Sequence, residues 1–279
     1  MIAGIALIRV CATFSPLNKS STTVVFNATS LRPDSGLTVL LGVLQGLSKQ
    51  DQVAIEAIVI CSSKETAEAV KTQGLASRVV LRCKDASLWR RQWWVTMSMG
   101  KFVNSLKPDL FFSFNQFVGG VKAPQAVYHL NLIRFMPIDS NQGIVHRLVE
   151  WSRNRGAKLA LQQADANVFE SNYLHECASK VHTPQNGIAK VIYIGLPDDL
   201  IDASSKLKSS DAHSASLIAI TNHNEHKDNA TLIRVLHSLV ENYPAVNWRL
   251  KIAANIISEK WKPVKKLAME LGVDNKIDW

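Results

Sequence analysis

A lysine that can bind phosphate lies in a loop between an apolar run and a helical pattern. Lys227 belongs to the segment "NHNEHKD", residues 222–228, which follows "SLIAIT" and precedes a helical pattern that begins at Asn229. Backbone N–H groups at the start of a helix are unpaired, and a neighbouring cation adds to their attraction for an anion. This combination suits a diphosphate. The alternative is a solvated lysine in the first helical turn, although a positive charge there opposes the helix dipole.

Metal chemistry is not predicted for this loop or elsewhere. His223 and His226 could form half of a zinc site, but no third ligand is nearby in sequence. The four cysteines contain no Cys-x-x-Cys pair, and they are Cys11, Cys61, Cys83 and Cys177. We therefore predict no metal site and reduced thiols.

Polar residues also stand at the ends of other apolar runs. His129 and Asn131 end or follow "APQAVYHL", Asn115 follows "DLFFSF", and Glu170 ends "ANVFE". The carboxyl ends of parallel strands share one edge of a sheet, where ligands bind. We therefore regard these four as candidate ligand contacts. The alternative for His129 is a satisfied core histidine, and Ser171 is better explained as a helix N-cap.

Apolar, β-branched runs alternate with helical patterns, which is typical of parallel βαβ units. In the first 197 residues the predicted strands are 21–29, 53–60, 77–82, 109–114, 123–130, 166–170 and 190–195. The predicted helices are 36–48, 64–73, 88–106, 143–163 and 172–180. Because the short runs are almost continuously hydrophobic, both faces of the sheet must be covered. The patterns therefore predict a doubly wound α/β domain.

A change of composition divides the chain. The segment "PDDLIDASSKLKSSDAHSA", which begins at Pro197, is rich in Ser, Asp and Lys and reads as an interdomain linker. We predict a Rossmann-like amino-terminal domain over residues 1–197, a linker over 198–215, and part of a second Rossmann-like domain over 216–279. The second domain is predicted to contain strands 216–221, 247–253 and 275–279 and helices 229–242 and 258–271. Since such a domain usually needs on the order of 100–150 residues, we expect the chain to be a fragment.

The helix predicted over residues 88–106 combines tryptophan with arginine. Its apolar face is predicted to join the core, and comprises Leu88, Val95, Met99, Phe102 and Leu106. The remaining side chains include Trp89, Arg90, Arg91 and Trp93. Tryptophan and arginine suit a membrane surface, which makes these four candidate membrane contacts. A buried helix with a basic outer face explains the same residues, and we prefer that reading.

Charge is distributed unevenly along a chain whose net charge is +9. Residues 1–190 hold 21 Lys and Arg against 12 Asp and Glu, whereas residues 191–279 hold 11 against 11. The first part is therefore expected to face an anionic partner. No apolar run approaches the roughly 20 residues needed to cross a bilayer. We expect a cytoplasmic protein, with any membrane contact peripheral and at the inner face.

Several segments resemble a known enzyme family in that family's order. The segment "SLIAITNHNEHKDNATLIRVLHSLVENYPAVNWRLKIAA" resembles the first βαβ unit of the carboxy-terminal domain in group 1, family 4 glycosyltransferases. Upstream, "NATSLRPDSGLTVLLGVLQGL" is similar to the family's opening strand, Gly-containing loop and first helix. Four more segments resemble later strands of the family and its entry to the linker, namely "KPDLFFSFN", "QAVYHLNLIRF", "ALQQADANVFESNYLHE" and "KVIYIGLPDDL". These matches cover most of residues 22–279.

The resemblance implies a GT-B fold and a specific reaction. A sugar would pass from a nucleoside diphosphate sugar, as co-substrate, to a hydroxyl of a glycan or lipid-linked acceptor. The transfer would proceed with retention and without a metal or other cofactor, in polysaccharide biosynthesis. The family's paired-glutamate motif has no match in the sequence, so the resemblance also implies a chain truncated within its C-terminal domain.

The resemblance assigns roles to particular residues. Lys227 and Gly36 would contact the donor phosphates, and Asn222 takes the place of the family's usual arginine. The histidines of this loop and Asn224 could partly replace that arginine. The alternative for Gly36 is a turn glycine in front of a helix capped by Asp34 or Ser35.

For the other strand ends, the resemblance places His129 near the sugar hydroxyls, as the catalytic candidate. Asn115, Asn131 and Glu170 would contact the sugar or the acceptor.

Two other functions fit part of the same pattern. A non-catalytic basic α/β module that binds an anionic lipid, glycan or nucleic acid explains the charge, but it leaves the linker and the second βαβ unit without a role. No RNP-like, KH-like or helix-turn-helix pattern supports nucleic acid, so none is expected as a partner. A sugar-nucleotide epimerase of GT-B type would share the donor but not the acceptor.

Overall fold

The computed structural model describes nine segments of the chain, namely residues 21–31, 35–48, 54–82, 87–136, 143–182, 187–193, 214–221, 227–254 and 259–279. The chain divides into two compact units, Met1–Ile201 and Asp202–Trp279. The predicted linker, 198–215, lies outside the described segments except for its last two residues. Within those segments, no helix combines the length and the hydrophobicity that a membrane span requires.

Within the described residues of the first unit, seven parallel strands form a sheet in the order β3-β2-β1-β4-β5-β6-β7. The strands are β1 (Ser21–Asn27), β2 (Ala54–Cys61), β3 (Arg78–Leu81), β4 (Leu110–Phe114), β5 (Gln125–His129), β6 (Ala166–Phe169) and β7 (Ile188–Val191). The helices are α1 (Ser35–Ser48), α2 (Lys64–Thr72), α3 (Leu88–Met97), α4 (Met99–Ser105), α5 (Ile144–Gln163) and α6 (Asn172–Val181).

Hydrophobic clusters cover both faces of this sheet. Successive side chains of a strand point to opposite faces, so β1 gives Val24 and Phe26 to one cluster and Val25 to the other. Leu44 of α1 packs in the first cluster, whereas Met99 of α4 packs in the second. The strands β4 and β5 are buried along their whole length. The prediction of a doubly wound α/β domain is confirmed.

The helix predicted over residues 88–106 is in fact two helices, α3 and α4, which meet at Ser98. Backbone hydrogen bonds with helical spacing still run through Ser98 in both directions. Close packing accompanies the junction, because a Cβ atom on Gly100 would stand 2.3 Å from the carbonyl oxygen of Gly119. The predicted apolar face is nevertheless present, with Met99 fully buried.

The last strand of the first unit begins earlier than its apolar run predicts. The run covers residues 190–195, whereas β7 is Ile188–Val191. The first residue of β7 is already paired, because the Ile188 N–H donates to the carbonyl of Asp165, the residue directly before β6, at 2.9 Å. Gly187 makes this approach possible with a φ of +82°, a conformation that favours glycine.

The second unit is a smaller sheet with helices. Its parallel strands, in the order β10-β9-β8, are β8 (Ser214–Ile220), β9 (Asn247–Ala253) and β10 (Ile277–Asp278). Its helices are α7 (Asn229–Asn242) and α8 (Lys262–Glu270), and a 3₁₀ turn, Glu259–Trp261, replaces the predicted start of α8. Ile233 of α7, Leu250 of β9 and Trp261 share one buried cluster. The predicted alternation of strands and helices is therefore present.

Candidate functional site

A pocket lies where the parallel strands of the first unit end. β1 is between β2 and β4, so the chain leaves β1 towards one side of the sheet and leaves β4 towards the other. Diverging loops of this kind form the crevice in which open α/β sheets bind ligands. Thr29 and Ser30, which follow β1, and Asn115 and Gln116, which follow β4, line the pocket. The surrounding elements add Arg91, Gln92, Val95, Arg134 and Arg153.

Hydrogen bonds tie the loop after β1 to β4. The Nδ2 of Asn27 donates to the hydroxyl of Ser113 at 2.9 Å, and its Oδ1 accepts from the Thr29 hydroxyl at 2.7 Å. The hydroxyl of Ser30 donates to the carbonyl of Phe114 at 3.0 Å. Since these groups are buried or partly buried, the bonds hold the loop in place. One wall of the pocket is therefore built before any ligand binds.

Asn115, another lining residue, has an unusual backbone conformation. Its φ is +64°, in the left-handed region that asparagine tolerates better than most residues. Its N–H donates to the carbonyl of Tyr128 at 2.9 Å, and its Oδ1 accepts from the Leu130 N–H at 2.7 Å. Among the polar residues predicted at strand ends, Asn115 is the one that the structure places in the pocket.

Three arginines from separate elements surround the pocket. Arg91 comes from α3, Arg134 from the 3₁₀ turn Leu132–Phe135, and Arg153 from α5. Nη1 of Arg134 lies 3.1 Å from Oε2 of Glu150, and Nη1 of Arg153 contacts the other oxygen of the same carboxylate. Nη1 of Arg91 lies 3.5 Å from the hydroxyl of Ser62. One carboxylate is thus shared by two guanidinium groups.

Burial is the main electrostatic influence on Arg134. It lowers the pKa of Arg134 to about 10, and repulsion from Arg153 and Arg91 acts in the same direction. Attraction to Glu150 opposes both effects. The guanidinium still carries its charge at neutral pH, so the pocket wall is cationic.

His129 lies in the core beneath the strand ends. Its ring is 1% exposed and stacks on Phe169, with ring centroids 5.0 Å apart. Its Nε2 is 2.9 Å from Oδ1 of Asn167, whose Nδ2 donates to the carbonyl of Ala160. Nε2 must therefore carry the proton. Burial lowers the pKa of His129 to about 4, and the predicted contact with a sugar stays a prediction.

The remaining strand-end residues have local roles. Oδ1 of Asn131 accepts from the Ile133 N–H at 3.0 Å and caps the 3₁₀ turn. Glu170 is half-buried, and burial raises the pKa of its carboxyl. The hydroxyl of Ser171 accepts from the Leu174 N–H at 3.2 Å, so the predicted N-cap of α6 is confirmed. Ligand contacts of Asn131 and Glu170 stay predictions.

In the second unit, Lys227 lies at the start of α7 with an exposed side chain. Asp228, the next residue, has a φ of +44° and accepts a hydrogen bond from the Thr231 hydroxyl at 2.7 Å. A left-handed residue after a helical one turns successive N–H groups towards the same point, which favours an anion. Asn222 lies outside the described residues. Contact of Lys227 and Asn222 with donor phosphates stays a prediction.

Gly36, in the first turn of α1, is explained by packing. A Cβ atom there would stand 3.2 Å from Cβ of Leu31. The absent side chain lets α1 approach the chain that follows β1. Contact of Gly36 with donor phosphates stays a prediction.

The candidate membrane residues differ in how exposed they are. Trp89 and Trp93 are 53% and 69% exposed, and Arg90 is exposed as well. Arg91 instead lines the pocket and is partly buried. Arg91 is therefore the least exposed of the four, and contact of these residues with a membrane stays a prediction.

Six of the pocket's described lining residues were missed by the sequence interpretation, and Gln92 of α3 is one of them. Thr29 ends the predicted strand 21–29 and Ser30 follows it, so the rule that selected Asn115 could also have selected them. Gln116 is the next residue after Asn115. Arg134 and Arg153 carry no local signal, because only the packing of their turn and helix brings them to this edge.

Comparison with known proteins establishes the fold. No protein-family model matches the chain, and a search of curated proteins finds no match. One similar solved structure is HepE of Anabaena in complex with UDP-glucose, with 14% identity and a TM-score of 0.56 over 92% of this chain and 68% of that one. A glycosyltransferase of Rickettsia africae has 11% identity and a TM-score of 0.56 over 93% of this chain and 68% of its own. The UDP-GlcNAc 2-epimerase of Neisseria meningitidis bound to UDP-GlcNAc has 15% identity and a TM-score of 0.50 over 92% of this chain and 71% of its own. The chain therefore has a GT-B-like fold, with Rossmann-like parallel sheets, of the kind found in glycosyltransferases and UDP-GlcNAc 2-epimerases.

Proposed function

We propose that the protein acts in the transfer of a sugar from a nucleoside diphosphate sugar to a glycan or lipid-linked acceptor. The observation that carries this proposal is the position of Lys227, exposed between a parallel strand and α7 in a GT-B-like fold. HepE, with the same fold, was solved with UDP-glucose, and a second similar structure is a glycosyltransferase. Both likenesses support a nucleotide sugar as co-substrate.

Lys227 supplies the charge that the leaving diphosphate needs. As the bond between the sugar and the diphosphate breaks, negative charge grows on the diphosphate oxygens. The exposed ammonium group of Lys227 and the N–H groups at the start of α7 would stabilise that charge. The acceptor hydroxyl attacks from the face that the diphosphate leaves, and its proton passes to an oxygen of the departing diphosphate. The configuration is thereby retained, and no metal is required. Asn115, at the pocket in the first unit, is the residue to which we assign contact with the acceptor.

A second candidate is a sugar-nucleotide epimerase, favoured by the likeness to the UDP-GlcNAc 2-epimerase. An epimerase binds the same kind of donor but releases an altered sugar without an acceptor. Incubation with UDP-GlcNAc and UDP-glucose, followed by analysis of the products, separates the two. A sugar joined to an added acceptor supports transfer, whereas an epimerised or released sugar contradicts it.

Lys227→Ala is expected to weaken the binding of UDP and UDP-glucose by about ten-fold or more, because a charge-assisted hydrogen bond is lost. Calorimetric titration of the whole chain measures this loss. The matched control is Lys266→Ala, which removes an exposed lysine from α8 of the same unit. Equal affinities for the two variants, or no nucleotide binding by the folded wild type, would contradict the proposal and favour a non-catalytic module.

We also propose peripheral contact of the inner membrane face with Trp89, Arg90 and Trp93. Exposed tryptophans insert at the lipid interface, and arginine attracts anionic headgroups. The double variant Trp89→Ser, Trp93→Ser is expected to lose about five-fold or more of its binding to vesicles of phosphatidylglycerol in co-sedimentation. Tyr173→Ser, which removes an aromatic 63% exposed on α6, is the control and should bind normally. Undiminished binding by the double variant would refute the contact.

A further inference from the structure

Arg134 and Arg153, at the pocket where β1 and β4 end, carry guanidinium donors that their contacts with Glu150 do not use. Three guanidinium groups line the pocket, and none of its described lining residues is a carboxylate. Glu150 accepts from Arg134 and Arg153, but each uses only its Nη1 in that contact. A guanidinium group has five N–H donors in a planar fork that matches an oxyanion. Donors therefore remain on both groups for a ligand.

The electrostatics favour the same ligand. Arg134 is pushed towards its neutral form by burial, by Arg153 and by Arg91, and Glu150 alone among the named groups opposes this. An added negative charge between the arginines would offset their mutual repulsion. Because the side chains of Arg134 and Arg153 are only 13% and 21% exposed, water screens that attraction weakly.

The rest of the pocket defines what the anion is attached to. Thr29, Ser30, Asn115 and Gln116 bring hydroxyl or amide groups to the same space, an open cavity of about 30 Å³, which has room for a small oxyanion while the rest of the ligand lies at its mouth. Hydroxyl and amide groups suit the hydroxyls of a sugar. The mixture fits one charged group on a polar, hydroxylated molecule.

We propose that this pocket binds a single oxyanion, either a phosphate monoester or a carboxylate, carried by the sugar acceptor. The assignment to an acceptor rests on the proposed function, whereas the binding of the anion does not. Arg153 and Arg134 hold the anion, and Asn115 and Ser30 stand beside the sugar that carries it. The enzyme would therefore act on acidic or phosphorylated sugars in preference to neutral ones.

Calorimetric titration with glucose 6-phosphate, glucuronate, inorganic phosphate and glucose tests the site and distinguishes its two forms. The phosphate or the carboxylate sugar should bind at least ten-fold more tightly than glucose, and whichever binds better identifies the oxyanion. Arg153→Gln should lower that affinity about ten-fold. Arg155→Gln is the matched control, two residues along α5, where the side chain is exposed and lies over the ring of Trp151. Arg153→Lys keeps the charge without the fork, and should give an intermediate loss even if Arg153→Gln fails to fold.

The same titrations separate this inference from the proposed function. Lys227→Ala should weaken the binding of UDP and leave the binding of the acidic sugar unchanged, whereas Arg153→Gln should do the reverse. Acidic-sugar binding without any UDP binding would sustain the anion site and remove the transferase. Equal affinity for glucose and glucose 6-phosphate, or equal losses in the Arg153 and Arg155 variants, would overturn the acceptor site.

Discussion

Replacing Gly187 by alanine is expected to lower the free energy of unfolding of the first unit by about 3 kcal/mol or more. A Cβ atom on Gly187 would stand 2.0 Å from the carbonyl oxygen of Asp165 and 2.8 Å from that of Ala164. Both contacts are with backbone, which cannot rotate away. The Asp165 oxygen also accepts from the Ile188 N–H, so moving the chain would weaken the pairing of β7 with β6.

Gly74→Ala separates this steric effect from the cost of the backbone conformation. Gly74 also has a positive φ, +61°, but a Cβ atom there would meet nothing within 4 Å. Its substitution should cost only the left-handed conformation, about 1–2 kcal/mol. Urea unfolding followed by tryptophan fluorescence compares the two variants. Similar midpoints would show that the contact with Asp165 is relieved at little cost.

Acidification is expected to destabilise the protein through His129. In the unfolded chain a histidine has a pKa near 6.5, whereas burial lowers the pKa of His129 in the folded protein to about 4. Between these values the unfolded chain binds a proton that the folded protein does not, so stability falls as the pH drops from 6.5 towards 4. The loss from this one group reaches about 3 kcal/mol at pH 4.

His129→Gln provides the matched variant for this pH effect. Glutamine can still donate to Oδ1 of Asn167, but it does not titrate. Between pH 7 and pH 4, the wild type should therefore lose about 3 kcal/mol more unfolding free energy than the variant. Urea titrations at several pH values measure the difference. Parallel curves would mean that His129 is accessible to protons in the folded state.

Much of the fold follows from local patterns in the sequence. The strands were predictable because a sheet covered on both faces leaves almost continuous apolar runs, as in Leu110–Phe114. The break at Ser98 was not predictable from local pattern. It is accompanied by the packing of Gly100 on Gly119, a residue that follows the helix in sequence. The early start of β7 has a similar cause, since its pairing with residues next to β6 begins directly after Gly187.

The candidate site was less predictable than the fold. Asn115 was identified because the end of a parallel strand lies at a fixed edge of the sheet. His129 meets the same rule, yet its ring is directed into the core, and strand position alone does not reveal that. Arg91, Arg134 and Arg153 come from elements separated by up to 62 residues in sequence (positions 91 and 153), and their meeting depends on tertiary packing.

The central place of β1 has a consequence for synthesis on the ribosome. β1 pairs with β2 soon after both are made, but its other edge waits for β4, whose Leu110 pairs with Val24. At roughly 5–20 residues per second, that partner arrives several seconds later. During this interval a nascent chain that holds β1, β2 and β3 exposes the unpaired edge of an apolar strand. Among the first four strands, the pairing of β1 with β4 therefore forms last, although it lies inside the finished sheet. Until β4 is made, this edge of β1 is the one most exposed to pairing with a wrong strand.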